Sequence, residues 1–507
     1  MDPRIARRAA GAALAFGILA EVLFDRAALG INVPIATALV LAIVTLLAPN
    51  RRPADRLDLW LAGLAMVASL GPALRTDPSV VQLDLVLTIA AVAAWSTAMS
   101  GVAVTRRSAA AVAGLGVEAG VALGIGFAWL VSHAASDGAL SSAGRQVGRL
   151  APVLRGALIA VPVMAGFALL LGSADAVFGR AIDDALRFPV DLEDVSNRAL
   201  FSILAAVLVG GPIAIAVGGS KALIGSFATG TAAPGGAPPD GARPSGLRPY
   251  ATEALVVLAA VDALFAAFAA VQIAFLFGGA STLSAIGMTY SDYARQGYFQ
   301  LVFVVGLAGL LLLGAHEVAG LTRRFLVLAV ALLLLTGLIL ASAAVRLALY
   351  QGAYGWTELR FFVAASIAWL ATCLALTLGA LRANRMRWLP HAIAMSAAAV
   401  TLAVSAIGPQ AFVMHQNLAR VLDPSLVAVD GHSGFDVDYA SELGDDAVPD
   451  LVAALAVVPT PDAAALRVQL EGRRAALQLD SSSAGPLSWN LSRERARAAL
   501  ATLGAPQ

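Results

Sequence analysis

The chain has 507 residues, 59% of them hydrophobic and 13% charged, against roughly a quarter charged in ordinary soluble domains. Its 34 basic and 33 acidic side chains nearly cancel, so no global field argues for nucleic acid or for an acidic ligand. One cysteine, Cys373, excludes a disulfide framework and a thiolate metal site within one chain.

Lys221 is the only lysine, and alanine and glycine abound, a composition that suggests a GC-rich bacterial source. The N-terminus, with Arg4, Arg7 and Arg8 ahead of an apolar run, has the look of a signal peptide. No small-residue cleavage site precedes a soluble domain, so it reads as an uncleaved first helix. Apolar stretches long enough to cross a bilayer then fall near 9–25, 31–48, 57–74, 82–100, 109–132, 153–172, 199–218, 252–278, 300–315, 325–345, 362–381 and 389–408. Each needs about 20 residues to span roughly 30 Å, and only helices satisfy their own backbone in lipid without closing a barrel. The expected fold is therefore all-α, a polytopic transmembrane bundle of about 12 spans.

The fifth stretch carries Gly116, Gly120 and Gly124 on one helix face, which favours close helix contact. Residues 220–251 are rich in Pro, Gly and Ala and read as a flexible linker. The predicted organisation is a bundle over 1–219, that linker, a second bundle over 252–408 and a polar, mainly helical tail over 409–507. Arg4, Arg7 and Arg8, then Arg51, Arg52 and Arg56, then Arg106 and Arg107 in the first half, and Lys221 with Arg243 and Arg248, Arg323–Arg324, and Arg382 with Arg385 and Arg387 in the second, all favour the cytoplasm. Twelve simple crossings cannot satisfy both sets, so either one segment near the fifth is re-entrant or split, or the positive-inside bias fails in one half. The later loops agree among themselves and put the tail outside the cytoplasm. In that tail Thr460-Pro461-Asp462 reads as a helix start, with Leu466, Leu470 and Leu477 on one face.

Three stretches are similar to an uncharacterised family of bacterial polytopic membrane proteins, a domain of unknown function. They are Pro152 to Gly156 with Pro162 and Ser173 to Phe178, then Tyr290 to Leu301, then Arg346 to Arg360. The tail adds Asn417-Leu-Ala-Arg420, Phe435-Asp-Val-Asp438-Tyr439 and Asp445-Asp446-Ala447-Val448-Pro449. The resemblance implies membrane location and this architecture and brings no established activity. A glutamate is common in that family where Gln300 stands, which weakens any chemistry needing a carboxylate there.

Two arginine-aromatic stretches are the candidate binding residues. Tyr293, Arg295 and Tyr298 precede a predicted span and could form an anion or headgroup site, against the plainer reading of an interfacial helix. Arg346, Tyr350, Tyr354 and Arg360 lie in what reads as a short loop between two spans, suited either to an amphiphilic anion or to a rigid interfacial turn. Glu118 and Asp262 are mid-span carboxylates, costly by about 2.5–3.5 kcal/mol unless they face a cavity or partner. They hint at an ion path, or at protonated groups bonding across helices. His316-Glu317 lacks the second histidine of a zinc-protease motif, and Asp436, Asp438, Asp445 and Asp446 lack the pattern of a calcium loop, reading instead as solvated caps. No catalytic constellation, metal site or cofactor motif is expected.

The function expected is transport or handling of an anionic or amphiphilic substrate, the alternative being an envelope sensor or scaffold acting through its tail. Membrane lipids and an envelope protein are the expected partners. The expected place is the bacterial cytoplasmic membrane, with the N-terminus inside.

Overall fold

The structure, a computed structural model, describes residues 3–105 with breaks at 26, 50, 51 and 54, scattered helical residues within 206–216, 255–266 and 308–316, and then 320–427, 434–483 and 485–503. Among the described residues there is no strand. The helices are α1 (Pro3–Phe24), α2 (Asn32–Leu47), α3 (Arg56–Leu74), α4 (Pro78–Met99), α5 (Arg323–Tyr354), α6 (Glu358–Arg382), α7 (Leu389–Ile407), α8 (Pro409–Leu422), α9 (Val437–Glu442), α10 (Val448–Ala454), α11 (Thr460–Ser483) and α12 (Leu491–Ala501). Five of them, α3 to α7, are long and apolar enough to cross a membrane. Val86, Val327 and Leu334 on these helices are 66%, 64% and 64% exposed, a surface that suits lipid and not water. The expected spans at 109–132 and 153–172 and the 220–251 linker lie outside the described residues.

Two compact units divide the chain. The first comprises Met1–Ala73, Leu85–Pro234 and Ala484–Trp489. In its core, small residues of α1 (Ala9, Ala13, Ala20) meet Val40 and Val44 of α2, Ala65 of α3 and Trp95 and Met99 of α4. Alanine faces let the backbones approach closely, the packing mode that works in lipid where hydrophobicity no longer drives helices together. Asn32, fully buried, stitches the α1–α2 turn by accepting from Gly30 N–H and donating to the carbonyls of Leu23 and Ala28. Asp58, also fully buried, accepts from the amides of Val104 (3.1 Å) and Thr105 (3.0 Å) and from the Thr105 hydroxyl, so the chain leaving α4 is tied back to the start of α3.

The second unit comprises Leu74–Asp84, Gly235–Ser483 and Asn490–Gln507. Here α5, α6 and α7 follow one another as antiparallel neighbours. One cluster joins Phe325, Leu332 and Ile339 of α5 to Leu381 of α6, Met386 and Leu389; a second joins Leu340 and Ala343 to Val363, Ile367 and Leu370. Helices α8 to α12 have a core of their own, in which Met414, Leu443, Val448 and Leu451 close over Leu466, Leu470 and Leu477 of α11 and Leu500 of α12. The three α11 leucines are 0%, 2% and 8% exposed, each burial stabilising by about 1.5–3 kcal/mol.

Two boundaries differ from the sequence expectation. Helix α4 begins at Pro78, four residues ahead of the expected 82, because the Asp77 carboxylate accepts from the amides of Ser79 (2.9 Å) and Val80 (3.4 Å) with Pro78 in the first helical position. Helix α5 does not stop near 345 but runs for 32 residues to Tyr354. At 1.5 Å per residue that is about 48 Å, well beyond a bilayer core of roughly 30 Å.

Candidate functional site

The Arg346–Arg360 stretch, expected as a loop, is helix for most of its length; only Gly355–Thr357 joins α5 to α6. The leucine- and alanine-rich sequence keeps α5 helical past its polar residues. Gly355 ends it with φ +76°, a conformation glycine adopts freely, and a side-chain carbon there would sit 2.8 Å from Asn417 Oδ1. Thr357 then caps α6 by accepting from Arg360 N–H at 3.3 Å.

The carbonyls at the end of α5 collect two guanidinium groups. Arg360, from the first turn of α6, donates through Nη1 to Tyr354 O (3.1 Å) and to Gly355 O. Its guanidinium lies 4.2 Å from the centroid of the Tyr350 ring, and Tyr350 in turn meets Tyr354 with ring centroids 5.1 Å apart. Arg420, from α8 and only 6% exposed, donates to the carbonyls of Gly352 (2.9 Å), Gln351 (3.2 Å), Ala353 (3.3 Å) and Leu426 (3.4 Å). Both cations sit where the α5 backbone presents unsatisfied carbonyls and the negative end of its dipole. Burial, and then the nearby Arg360 charge, push the Arg420 pKa down from its ordinary value.

Asn417, one turn before Arg420, holds the joining peptide from both sides, accepting from Trp356 N–H and donating to Trp356 O, each at 2.8 Å. Tyr439 of α9 accepts from Glu358 N–H at 2.8 Å. Together these residues wall a cavity of about 280 Å³ whose lining includes Tyr354, Trp356, Arg360, Asn417, Arg420, Phe435 and Tyr439. Among the described residues, Nε and Nη2 of Arg360 make no hydrogen bond. A half-buried guanidinium with a free edge, set among aromatic rings, can fork onto a carboxylate or phosphate.

A second junction in the same unit centres on Asp446, whose side chain is 1% exposed. Its Oδ2 accepts from Thr76 N–H (2.9 Å), Asp77 N–H (3.0 Å) and the Thr76 hydroxyl (3.2 Å), while Oδ1 accepts from Ser492 Oγ (2.7 Å) and pairs with Arg75 at 3.5 Å. Arg75 also donates to Ser405 O (2.7 Å) and to Ala406 O, capping α7, and Asn490 donates to Arg75 O at 2.9 Å. Asp446 is thus no solvated cap, as its sequence context suggested, but a buried hub. Asp436 does cap its own helix, accepting from Tyr439 N–H at 3.0 Å. Burial raises the pKa of Asp445 against the opposing charges of Arg473 and Arg493.

Of the residues singled out in the sequence, Tyr354 and Arg360 line the cavity and Tyr350 supports Arg360. Arg346, half-buried on α5, is not part of that lining. Asp262 is helical, 8% exposed and outside the cavity, and its two carboxyl oxygens have no hydrogen-bond partner among the described residues. Glu118, Tyr293, Arg295 and Tyr298 lie outside the described residues. Asn417, Arg420 and Tyr439, which complete the cavity, and Asp446 of the second junction stand in the tail motifs; Arg75-Thr76-Asp77 was not singled out in the sequence, and the Asp77-Pro78 pair is the local signal that could have found it.

Apolar helices of this length, with polar connections gathered at their ends, define a helical membrane protein. The chain belongs to the family described as Domain of unknown function (DUF4153), whose model matches residues 62–454. That range holds the cavity and, apart from Asn490 and Ser492, the Asp446 junction. No curated protein and no solved structure matches the chain.

Proposed function

We propose that this protein handles an anionic amphiphile, such as a membrane lipid with a phosphate or carboxylate headgroup, in the bacterial cytoplasmic membrane. The observation that carries this reading is the cavity at the α5–α6 junction, where a guanidinium edge with no acceptor among the described residues sits among aromatic walls beside the ends of two apolar helices. No side-chain constellation in it suits bond-breaking chemistry, so binding or transport is favoured over catalysis. Asp262, buried and without a hydrogen-bond partner among the described residues, supports a transport reading further, because such carboxyls commonly serve an ion or proton path.

Binding of phosphatidylglycerol to the protein in phosphatidylcholine nanodiscs tests the assignment. Arg360→Ala is expected to weaken it about tenfold, in line with the roughly 1.5–3 kcal/mol of a hydrogen bond to a charged group. Trp356→Leu, which keeps every charge, should weaken it less. Equal binding of phosphatidylglycerol by wild type and both variants would overturn the proposal.

In this reading about twelve spans cross the membrane, arranged as two bundles joined by the 220–251 linker, and the tail lies outside the cytoplasm. The basic pairs Arg323–Arg324 and Arg382–Arg385 stand at the ends of α5 and α6 away from Gly355–Thr357 and the tail, and Arg56 stands at the end of α3 away from Arg75–Asp77. Positive charge on the opposite side from the tail favours an extracytoplasmic tail. Val468 on α11 is 69% exposed. In a Cys373→Ser background, Val468→Cys should react with a membrane-impermeant maleimide on intact spheroplasts; labelling only after lysis puts the tail inside.

The alternative, a sensor or scaffold working through the tail, is favoured by one feature: α8 to α12 have their own core yet are held to the helix ends by buried polar contacts. Deleting the tail would abolish a sensor's phenotype, whereas a carrier would keep some uptake.

A further inference from the structure

The N-termini of α4 and α6 lie side by side. Val80, one turn into α4, and Phe361, one turn into α6, share a buried cluster with Val404 of α7 and Val413 of α8. One turn back along each helix stand Asp77 and Glu358. Asp77 is 1% exposed; its Oδ1 caps α4, while its Oδ2 is buried with no hydrogen-bond partner among the described residues. Oε1 of Glu358 is likewise buried and without a partner among them. Both are pinned through their own backbone amides by the tail: Asp77 N–H to Asp446, Glu358 N–H to Tyr439. The cations that could neutralise them are committed elsewhere, Arg75 to Asp446 and the α7 carbonyls, and Arg360 to the α5 carbonyls. A carboxylate held out of water in the field of a second one cannot stay charged cheaply.

We propose that Asp77, in the field of Glu358, is a proton-binding site, and that the docked tail loosens from the helix ends when Asp77 loses its proton. The groups facing Asp77 divide clearly. Glu358 on α6 and Asp446 beyond α9 disfavour its charged form, the Ser79 and Val80 amides favour it, and burial outweighs them all, lifting its pKa from 3.8 to about 6. Asp84 stands further along α4. The phenol of Tyr439 is raised to about 12, chiefly by burial, and stays neutral throughout. The sign is therefore fixed: the docked state takes up a proton that the released state, with an ordinary carboxyl, gives up. Docking is fully favoured below about pH 4 and weakens as pH rises through about 6, after which both states are ionised and the weakening levels off.

Hydrogen–deuterium exchange on the full-length protein in nanodiscs, corrected for the intrinsic pH dependence of exchange, tests this. Protection of peptides covering 74–84 and 437–448 should fall at least tenfold between pH 5 and pH 7.5 in wild type. Asp77→Asn, whose side-chain oxygen can still cap α4, should keep high protection at both pH values, and Glu358→Gln should flatten the dependence in the same direction. Wild-type protection that does not change with pH, or an unaltered pH dependence in both variants, overturns the proposal. Phosphatidylglycerol binding measured alongside keeps this site separate from the cavity: Arg360→Ala should retain the pH dependence that Asp77→Asn removes.

Discussion

Asp446→Ala is expected to detach the 75–77 turn from the tail and cost about 3–5 kcal/mol, the range measured when one partner of a buried charge pair is removed. The carboxylate is the common acceptor for the amides of Thr76 and Asp77 and the hydroxyls of Thr76 and Ser492, besides pairing with Arg75. Truncation leaves those donors facing an apolar gap. Each unsatisfied buried donor costs about 1–3 kcal/mol, and part is recovered only if water enters. The measurement is the apparent melting temperature of the purified protein together with trypsin cleavage after the arginines of α11 and α12. A fall of several degrees with rapid loss of the tail is expected. Asp446→Asn, which keeps one carbonyl acceptor and loses the charge, should fall between wild type and alanine. If alanine and wild type melted together and were cleaved at the same rate, Asp446 would not be the hub described.

Arg420→Ala is expected to unravel the last turn of α5 and cost about 2–4 kcal/mol, since charged hydrogen bonds contribute about 1.5–3 kcal/mol each and several are lost together. Three consecutive carbonyls, Gln351 to Ala353, accept from this one side chain, and Gln351 O also accepts from Gly355 N–H at 2.8 Å. Lysine restores the positive charge at the helix end but cannot fork across neighbouring carbonyls, so Arg420→Lys should recover less than half the loss. Exchange protection of the amides of residues 350–356 reads this directly. A variant that lost stability while those amides stayed protected would show that Arg420 acts through the tail core instead.

The helices and their polarity were legible where the signal is local. Thr460-Pro461-Asp462 opens α11 as its composition demands, and Leu466, Leu470 and Leu477 share the buried face that a period of 3.6 predicts. The third motif, Arg346 to Arg360, contributes Tyr354, Trp356 and Arg360 to the wall of a cavity that Arg420 also lines. Its conformation was misread because hydropathy drops at Arg346, Tyr350 and Gln351, which mimics a loop. The leucine- and alanine-rich sequence carries the helix through that stretch, and a pair of arginines from other elements, one of them 67–69 residues away, binds its last carbonyls. Asp446 was misread for the same reason at larger scale. Nothing within ten residues of it reveals that its donors stand near position 76, and an exposed cap and a buried hub share one local pattern. Asn417, Arg420 and Tyr439 were visible as motif residues, but no sequence period links them to Trp356, Gly352 and Glu358.

The separation of 370 residues between Thr76 and Asp446 also sets a clock. At a synthesis rate of about 5–20 residues per second, the turn after α3 waits about 20 to 70 s for the carboxylate that will satisfy its amides. Through that interval the N-terminal helices are already made, while Thr76 and Asp77 have only water or a chaperone to bond. A nascent chain halted before residue 446 therefore exposes an open 75–77 turn, and completing the tail is the step that closes it.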